Sequence, residues 1–113
     1  MYAVVFHPKV IDDLERSFDG KGAKKMLRKT ATRLRNHSTP DGRVIKRLHL
    51  IVTAVFFEYK VRQDWRAIFY IDETHREVRI LGYVPKNIGS RLFDRELEHF
   101  LATRYRVFSS LAL

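Results

Sequence analysis

The stretch from Phe56 to Lys86, FFEYKVRQDWRAIFYIDETHREVRILGYVPK, decides the fold. Along Phe56 to Arg62, Phe57, Tyr59 and Val61 share one parity and Glu58, Lys60 and Arg62 the other, the period-2 pattern of a half-buried strand. The next run repeats it, with Ala67, Phe69 and Ile71 apolar in register and Arg66, Ile68 and Tyr70 between them. The third, Arg76 to Tyr83, offers Val78 and Ile80 to the core and Arg79, Leu81 and Tyr83 to the other side. Directly opposed residues of an antiparallel pair point to the same side of the sheet. A two-residue hairpin at Gln63-Asp64 would oppose Val61 with Arg66 and split the apolar sets between the faces, and that pair lacks the Asn-Gly or Gly chemistry of a tight turn. A three-residue or bulged loop over Gln63 to Trp65 opposes Arg62 with Arg66 instead. It predicts that Lys60, Arg62 and Arg66 converge on the face turned away from the core.

On the N-terminal side, Tyr2 to Phe6 reads as a short buried strand ended by His7-Pro8, since proline cannot continue a ladder. From Lys9 to Phe18, Val10, Ile11, Leu14 and Phe18 fall at helical spacing, and Asp19-Gly20-Lys21-Gly22 is turn chemistry. A second helix spans about Ala23 to His37, with a stripe of Ala23, Met26, Leu27, Thr30, Ala31 and Leu34. Its opposite face is Lys24, Lys25, Arg28, Lys29, Arg33 and Arg35, either a solvated surface or a line of phosphate contacts. Ser38-Thr39-Pro40-Asp41-Gly42 is a break. Val44 to His49 then reads as a short edge segment, and Leu50 to Ala54 either interrupts or extends it. Pro85 to Ser90 is a loop, and Arg91 to Tyr105 is a helix with Leu92, Phe93, Leu97, Phe100 and Leu101 on one side. Ser90 is a candidate N-cap for it. The tail RVFSSLAL either packs on the domain or awaits a partner. The order is α+β: an N-terminal strand and two helices, then an antiparallel sheet of three or more strands and a C-terminal helix. One sheet with helices on one face is expected, in a single domain over residues 1–113.

At 113 residues, 45% of them aliphatic or aromatic, the chain can build one core. No apolar run reaches the roughly 18–20 residues of a membrane span, so no membrane partner is expected. MYAVVFHPK lacks the layout of a signal peptide. With no cysteine there is no disulfide framework or thiolate metal site, which is compatible with a reducing cytoplasm. The five histidines show no ligand spacing, and no metal is expected. Twenty-two Lys and Arg against thirteen Asp and Glu leave a formal charge of +9. That balance, with a pI near 10.2, points to a polyanionic partner, nucleic acid before an acidic protein.

Four segments carry a family resemblance: Lys46-Arg47-Leu48, then Tyr59-Lys60-Val61-Arg62, then Trp65-Arg66 leading into Ala67-Ile68-Phe69-Tyr70, then Leu81-Gly82-Tyr83-Val84-Pro85-Lys86. On these the chain resembles the RelE/ParE superfamily of bacterial toxin–antitoxin toxins, and within it the HigB-like, phage-derived branch, over Tyr2 to about Leu101. The resemblance implies a RelE-like fold. It also implies a small metal-independent mRNA endoribonuclease, often ribosome-dependent, that needs no cofactor and works in the cytoplasm. Its partners would be an acidic antitoxin, mRNA and the ribosome. Other members, ParE-like, poison DNA gyrase and cut nothing, so the fold alone does not assign the activity. Many active relatives carry an arginine and a late tyrosine where this chain has Pro85-Lys86-Asn87, a departure that points to a weakened or different cleavage activity.

Cleavage through the RNA 2′-hydroxyl needs a base for that hydroxyl, a cation for charge developing on phosphorus, and an acid for the 5′-oxygen. A lysine crowded by guanidinium groups has its pKa lowered towards neutrality. Lys60, between Arg62 and Arg66, is the candidate base. Arg66 and Arg62 would hold the phosphate bidentately, and Lys86 could supply the acid. Trp65 and Tyr83 could stack bases, with Lys46, Arg47 and Arg79 as further RNA contacts. Each residue also has a plainer role: alternating cations solubilise or protect an edge, Arg66 can pair with Glu58, and Trp65 and Tyr83 can be core packing.

Overall fold

Both parities of the central strands are apolar, and this sets the layering. The computed structural model describes residues 2–39, 41, 43–48, 55–85 and 91–111, with side chains of 97–108 in the last segment. Its elements are β1 (Ala3–Phe6), α1 (Val10–Glu15), α2 (Gly20–Asn36), β2 (Ile45–Leu48), β3 (Phe56–Arg62), β4 (Trp65–Asp72), β5 (Glu77–Pro85) and α3 (Arg91–Leu111). They form one five-stranded sheet in the order β1-β5-β4-β3-β2. The meander β2 to β5 is antiparallel, and β1 adds to β5 in parallel, with Val4 opposite Val78.

Helices lie on both faces of the sheet, not on one. Tyr59, Val61, Ala67, Phe69, Val78 and Ile80 pack with Leu14 of α1 and Met26 and Leu34 of α2. The other parity, Phe56, Ile68, Tyr70 and Leu81, packs with Leu101 and Phe108 of α3. A strand with apolar residues at every position needs cover on both sides, as sheets buried on both faces show. The last helix runs on to Leu111, and Phe108, in the tail, is 5% exposed, so this part of the tail packs on the domain. Leu50 to Ala54 and the proposed loop and cap at residues 86–90 lie outside the described residues.

Local chemistry explains the boundaries. Asp19 caps α2, its Oδ1 accepting from the Gly22 N–H at 2.7 Å. Ala23, Met26, Thr30 and Leu34 form the buried stripe. Past α2, Asp41 Oδ1 accepts from the N–H groups of Arg43, Val44 and Ile45 at 2.8–3.0 Å and so turns the chain into β2. Those three bonds hold its carboxyl down at about 2.

Between β1 and α1, His7 is 4% exposed and stands edge-on to Phe108, the ring centroids 5.4 Å apart. Its Nδ1 accepts from the Lys9 N–H, which places the proton of the neutral ring on Nε2. Burial holds its pKa below the ordinary imidazole value, the Arg104 cation acts in the same direction, and Asp13 opposes both. The unfolded chain therefore takes up this proton first, near pH 6.5. The contribution of neutral His7 is complete above that pH and is lost as pH falls towards the lower folded pKa. Urea titrations at pH 7 and pH 5 should show a falling midpoint, and His7→Gln should reduce that fall; an equal fall in both proteins would count against it.

Candidate nucleic-acid interface

The β3–β4 hairpin turns at Gln63-Asp64, and a bulge in β3 absorbs the register change. Lys60 opposes Arg66, and Arg62 opposes Trp65, with an irregularity between Lys60 and Arg62. A bulge inserts one residue on one strand and shifts parity beyond it. Lys60 and Arg66 thus share the α3 side of the sheet. Arg62 goes to the other side, where its guanidinium lies 5.2 Å from the Phe18 ring centroid and its Nε is 3.3 Å from Asp64. The expected convergence of three cations is corrected to two.

Lys60 is exposed on this face and Arg66 is half-buried. Arg66 Nη1 lies 3.0–3.2 Å from the carbonyl oxygens of Arg62, Gln63 and Trp65. These bonds pin the guanidinium by one nitrogen and leave the other N–H groups of its five-donor fork unused by them. Directly opposed Cβ atoms in such a ladder are about 5 Å apart. Lys46, exposed on edge strand β2, opposes Glu58, and both face the same side as Lys60 and Arg66. Glu58 is half-buried on β3 and is the one described carboxylate that the β3 ladder sets among these cations. Sequence reading placed it on this face and gave it no role beyond pairing with Arg66. Arg47, one residue on, opposes Phe57 and so faces the α1–α2 side.

Three further expectations are corrected. Tyr83 is 3% exposed and its hydroxyl donates to Thr30 Oγ1 at 2.8 Å; it is core and cannot stack a base. A second bulge explains it: Ile68 opposes Gly82 while Phe69 opposes Ile80, so β5 switches parity past Leu81. Burial pushes the Tyr83 phenol well up from its ordinary value. Trp65 is 9% exposed and packs on Phe18, ring centroids 5.4 Å apart. Arg79 is 5% exposed and bound to Asp72 at 2.9 Å, Glu77 at 2.8 Å and the Tyr70 hydroxyl at 3.1 Å, so it locks the β4–β5 hairpin and does not reach nucleic acid. Lys86 lies outside the described residues.

What sequence reading missed is the clamp that seats α3 against the sheet. Arg104 Nη1 and Nη2 donate to the two carboxylate oxygens of Asp13 at 2.6 and 2.7 Å, and Nη1 also donates to the Leu81 carbonyl at 2.9 Å. Asp13 Oδ2 in turn accepts from the Tyr83 N–H at 3.2 Å, at the part of β5 that β1 does not reach. Among the described residues no cluster of three or more His, Asp or Glu could hold a metal ion, and no helix is long and apolar enough to cross a membrane.

No protein-family model matches the chain, and no curated protein sequence matches it. Solved structures do match. The RelBE2 toxin–antitoxin complex of Mycobacterium tuberculosis contains a chain similar to this one at a TM-score of 0.56 and 23% identity, covering 75% of this chain and 98% of that one. A chain of the archaeal RelE–RelB complex from Pyrococcus horikoshii is similar at 0.55 and 19% identity, with 74% and 93% covered. YafQ from Escherichia coli is similar at 0.55 and 15% identity, with 77% and 96% covered. The fold thus recurs at low identity over about three quarters of the chain. The chain has a RelE-like fold.

Proposed function

We propose that this chain is the toxin of a toxin–antitoxin pair and inhibits translation in the cytoplasm as a metal-independent mRNA endoribonuclease of the HigB-like kind. The observation that carries this reading is the opposed pair Lys60 and Arg66 on one face of a RelE-like sheet, Lys60 exposed and Arg66 half-buried. A positive charge fixed by backbone carbonyls is pre-organised for a phosphate, because it pays little reorganisation when charge develops there. Arg66 takes that role. Lys60 stands beside it to accept the proton of the 2′-hydroxyl, with Glu58 the neighbouring carboxylate able to share that work, and Lys86 is the candidate acid for the departing 5′-oxygen. Lys46 extends the positive track along the edge strand, where ribosome-bound mRNA would lie. An acidic antitoxin segment suits the same surface by charge.

A non-catalytic, ParE-like poison is the second reading, and one observation favours it. Arg62, Trp65 and Tyr83 are turned to the other face and Arg79 is buried in ion pairs, so the inventory of this face is short. Expression in a bacterial host followed by primer extension on abundant mRNAs separates the two. The nuclease reading expects growth arrest with new, discrete 5′ ends; arrest with intact mRNA and induced DNA damage would replace it with the second.

A further inference from the structure

The side of the molecule opposite the Lys60–Arg66 pair carries a second concentration of charge. Helix α2 contains no acidic residue over all 17 of its positions. Two adjoining concavities run along it. One of about 660 Å³ is lined by Lys25, Arg28, Lys29, Arg33 and His37 over the buried Tyr59. The other, of about 260 Å³, shares Lys25 and Lys29 and is closed by Phe18, Gly22, Met26 and Arg62. The bulge in β3 delivers Arg62 to this groove in place of the opposite face. Two acids answer this charge, Asp41 at 3.6 Å from Arg33 and Asp64 at 3.3 Å from Arg62, both in exposed pairs that contribute little.

We infer that this groove is a docking track for the phosphate backbone of RNA, with Lys25, Lys29, Arg33 and Arg62 as its contacts, separate from the face that carries Lys60 and Arg66. The inference rests on the reading of the chain as an RNA-acting toxin and assigns it a second contact surface. Helical rise puts Lys25 and Arg33 about 12 Å apart along α2. A nucleic-acid strand presents a phosphate every ~3.4 Å of axis, so a line of that length meets about three or four of them. A protein partner fits less well, since tight protein interfaces centre on buried aromatic or aliphatic anchors. The apolar side chains of the groove are recessed: Tyr59 and Met26 are buried and Phe18 is half-buried under Arg62, while the exposed large hydrophobics among the described residues, Val55 and Val107, do not line it. Arg62 is held in place by Phe18, which keeps a planar guanidinium at the groove wall.

The test is binding of the full chain to a fluorescein-labelled 20-nucleotide poly(U) RNA, by anisotropy over 50–200 mM salt. Each phosphate contact on a single strand contributes roughly 0.7 to the slope of log K against log salt. The combined variant Lys25→Gln, Lys29→Gln, Arg33→Gln should lower that slope by about two and weaken binding at 50 mM salt. Arg62→Gln alone should lower it by under one. All four side chains lie at the surface of α2 or β3, and a circular dichroism melt of each variant shows that it folds. An unchanged slope in the triple variant overturns the inference. So does loss of binding to a labelled poly-glutamate peptide with RNA binding intact, which would make the groove an acidic-protein surface. Primer extension on the Lys60 and Arg66 variants reads the nuclease proposal separately, so either can fail without the other.

Discussion

Asp13→Ala should lower the stability of the chain by about 3 kcal/mol, read as a shift of the urea midpoint at constant slope. The Asp13 and Arg104 side chains are each 11% exposed, so the pair is largely out of water. Removing the carboxylate leaves a buried guanidinium without its bidentate partner and the Tyr83 N–H without its acceptor. An unpaired buried charge is what makes such a truncation expensive, far beyond the net worth of the intact pair. The effect also has a place in the molecule. The clamp joins α1 to α3 across the free edge of β5, and α3 covers Phe56, Tyr70 and Leu81. Its loss should therefore loosen α3 before the sheet, and amide exchange in residues 97–108 should rise more than in β4. Gly82 sets the geometry: a Cβ there would stand 2.8 Å from Arg104 Nη1 and 2.9 Å from both Asp13 Oδ2 and Phe100 Cε1. Gly82→Ala should reproduce the loosening in milder form. A midpoint unchanged in Asp13→Ala would mean that α3 is seated by its apolar contacts alone.

The second large effect is on activity. If the chain is the nuclease proposed above, Lys60→Ala should reduce mRNA cleavage by about 10²–10⁴-fold, the range that a positioned proton-transfer group supplies. Arg66→Ala should cost about 10²–10³-fold, the range for loss of one pre-organised electrostatic contact. Lys60 is exposed and Arg66 half-buried, so neither change should remove core packing, and stability should move little. Rate and stability thus separate, which distinguishes these positions from Asp13. Growth arrest and 5′-end formation, measured at matched protein levels, report the first quantity, and urea midpoints report the second. A Lys60→Ala protein that cuts at the wild-type rate would move the proton-transfer role elsewhere, with Glu58 the next group to test.

Much of the fold was legible because it rests on local periodicity. The alternation from Phe57 to Val61, the helical stripe of α2 and the break around Asp41 all appear in the structure where side-chain spacing puts them. Parity failed at two points, and for one reason. A bulge leaves no mark in the period-2 pattern, since it adds a single residue to one strand. The bulge before Arg62 sent that side chain to the α2 groove, and the one at Leu81 turned Tyr83 into the core. The second sheet face was in view in Ile68, Tyr70 and Leu81, apolar residues that no solvent-facing sheet would carry in such number; giving them a cover requires α3, which closes from the far end of the chain. The Asp13–Arg104 clamp spans 91 residues and has no periodic signature at all. Arg79, read as an RNA contact, is instead bound by acids on its own strand and its neighbour, which alternation alone does not reveal.

A double-mutant cycle on cleavage tests most directly whether Lys60 and Arg66 form one centre. Wild type, Lys60→Ala, Arg66→Ala and the double variant would be compared by quantitative primer extension on the same mRNA. Groups that act as a unit are strongly non-additive. The double variant should then cut no more slowly than the worse single variant, within a few-fold. Independent, multiplying losses, or single variants that cut like the wild type, would contradict the assignment of the nuclease centre to this pair.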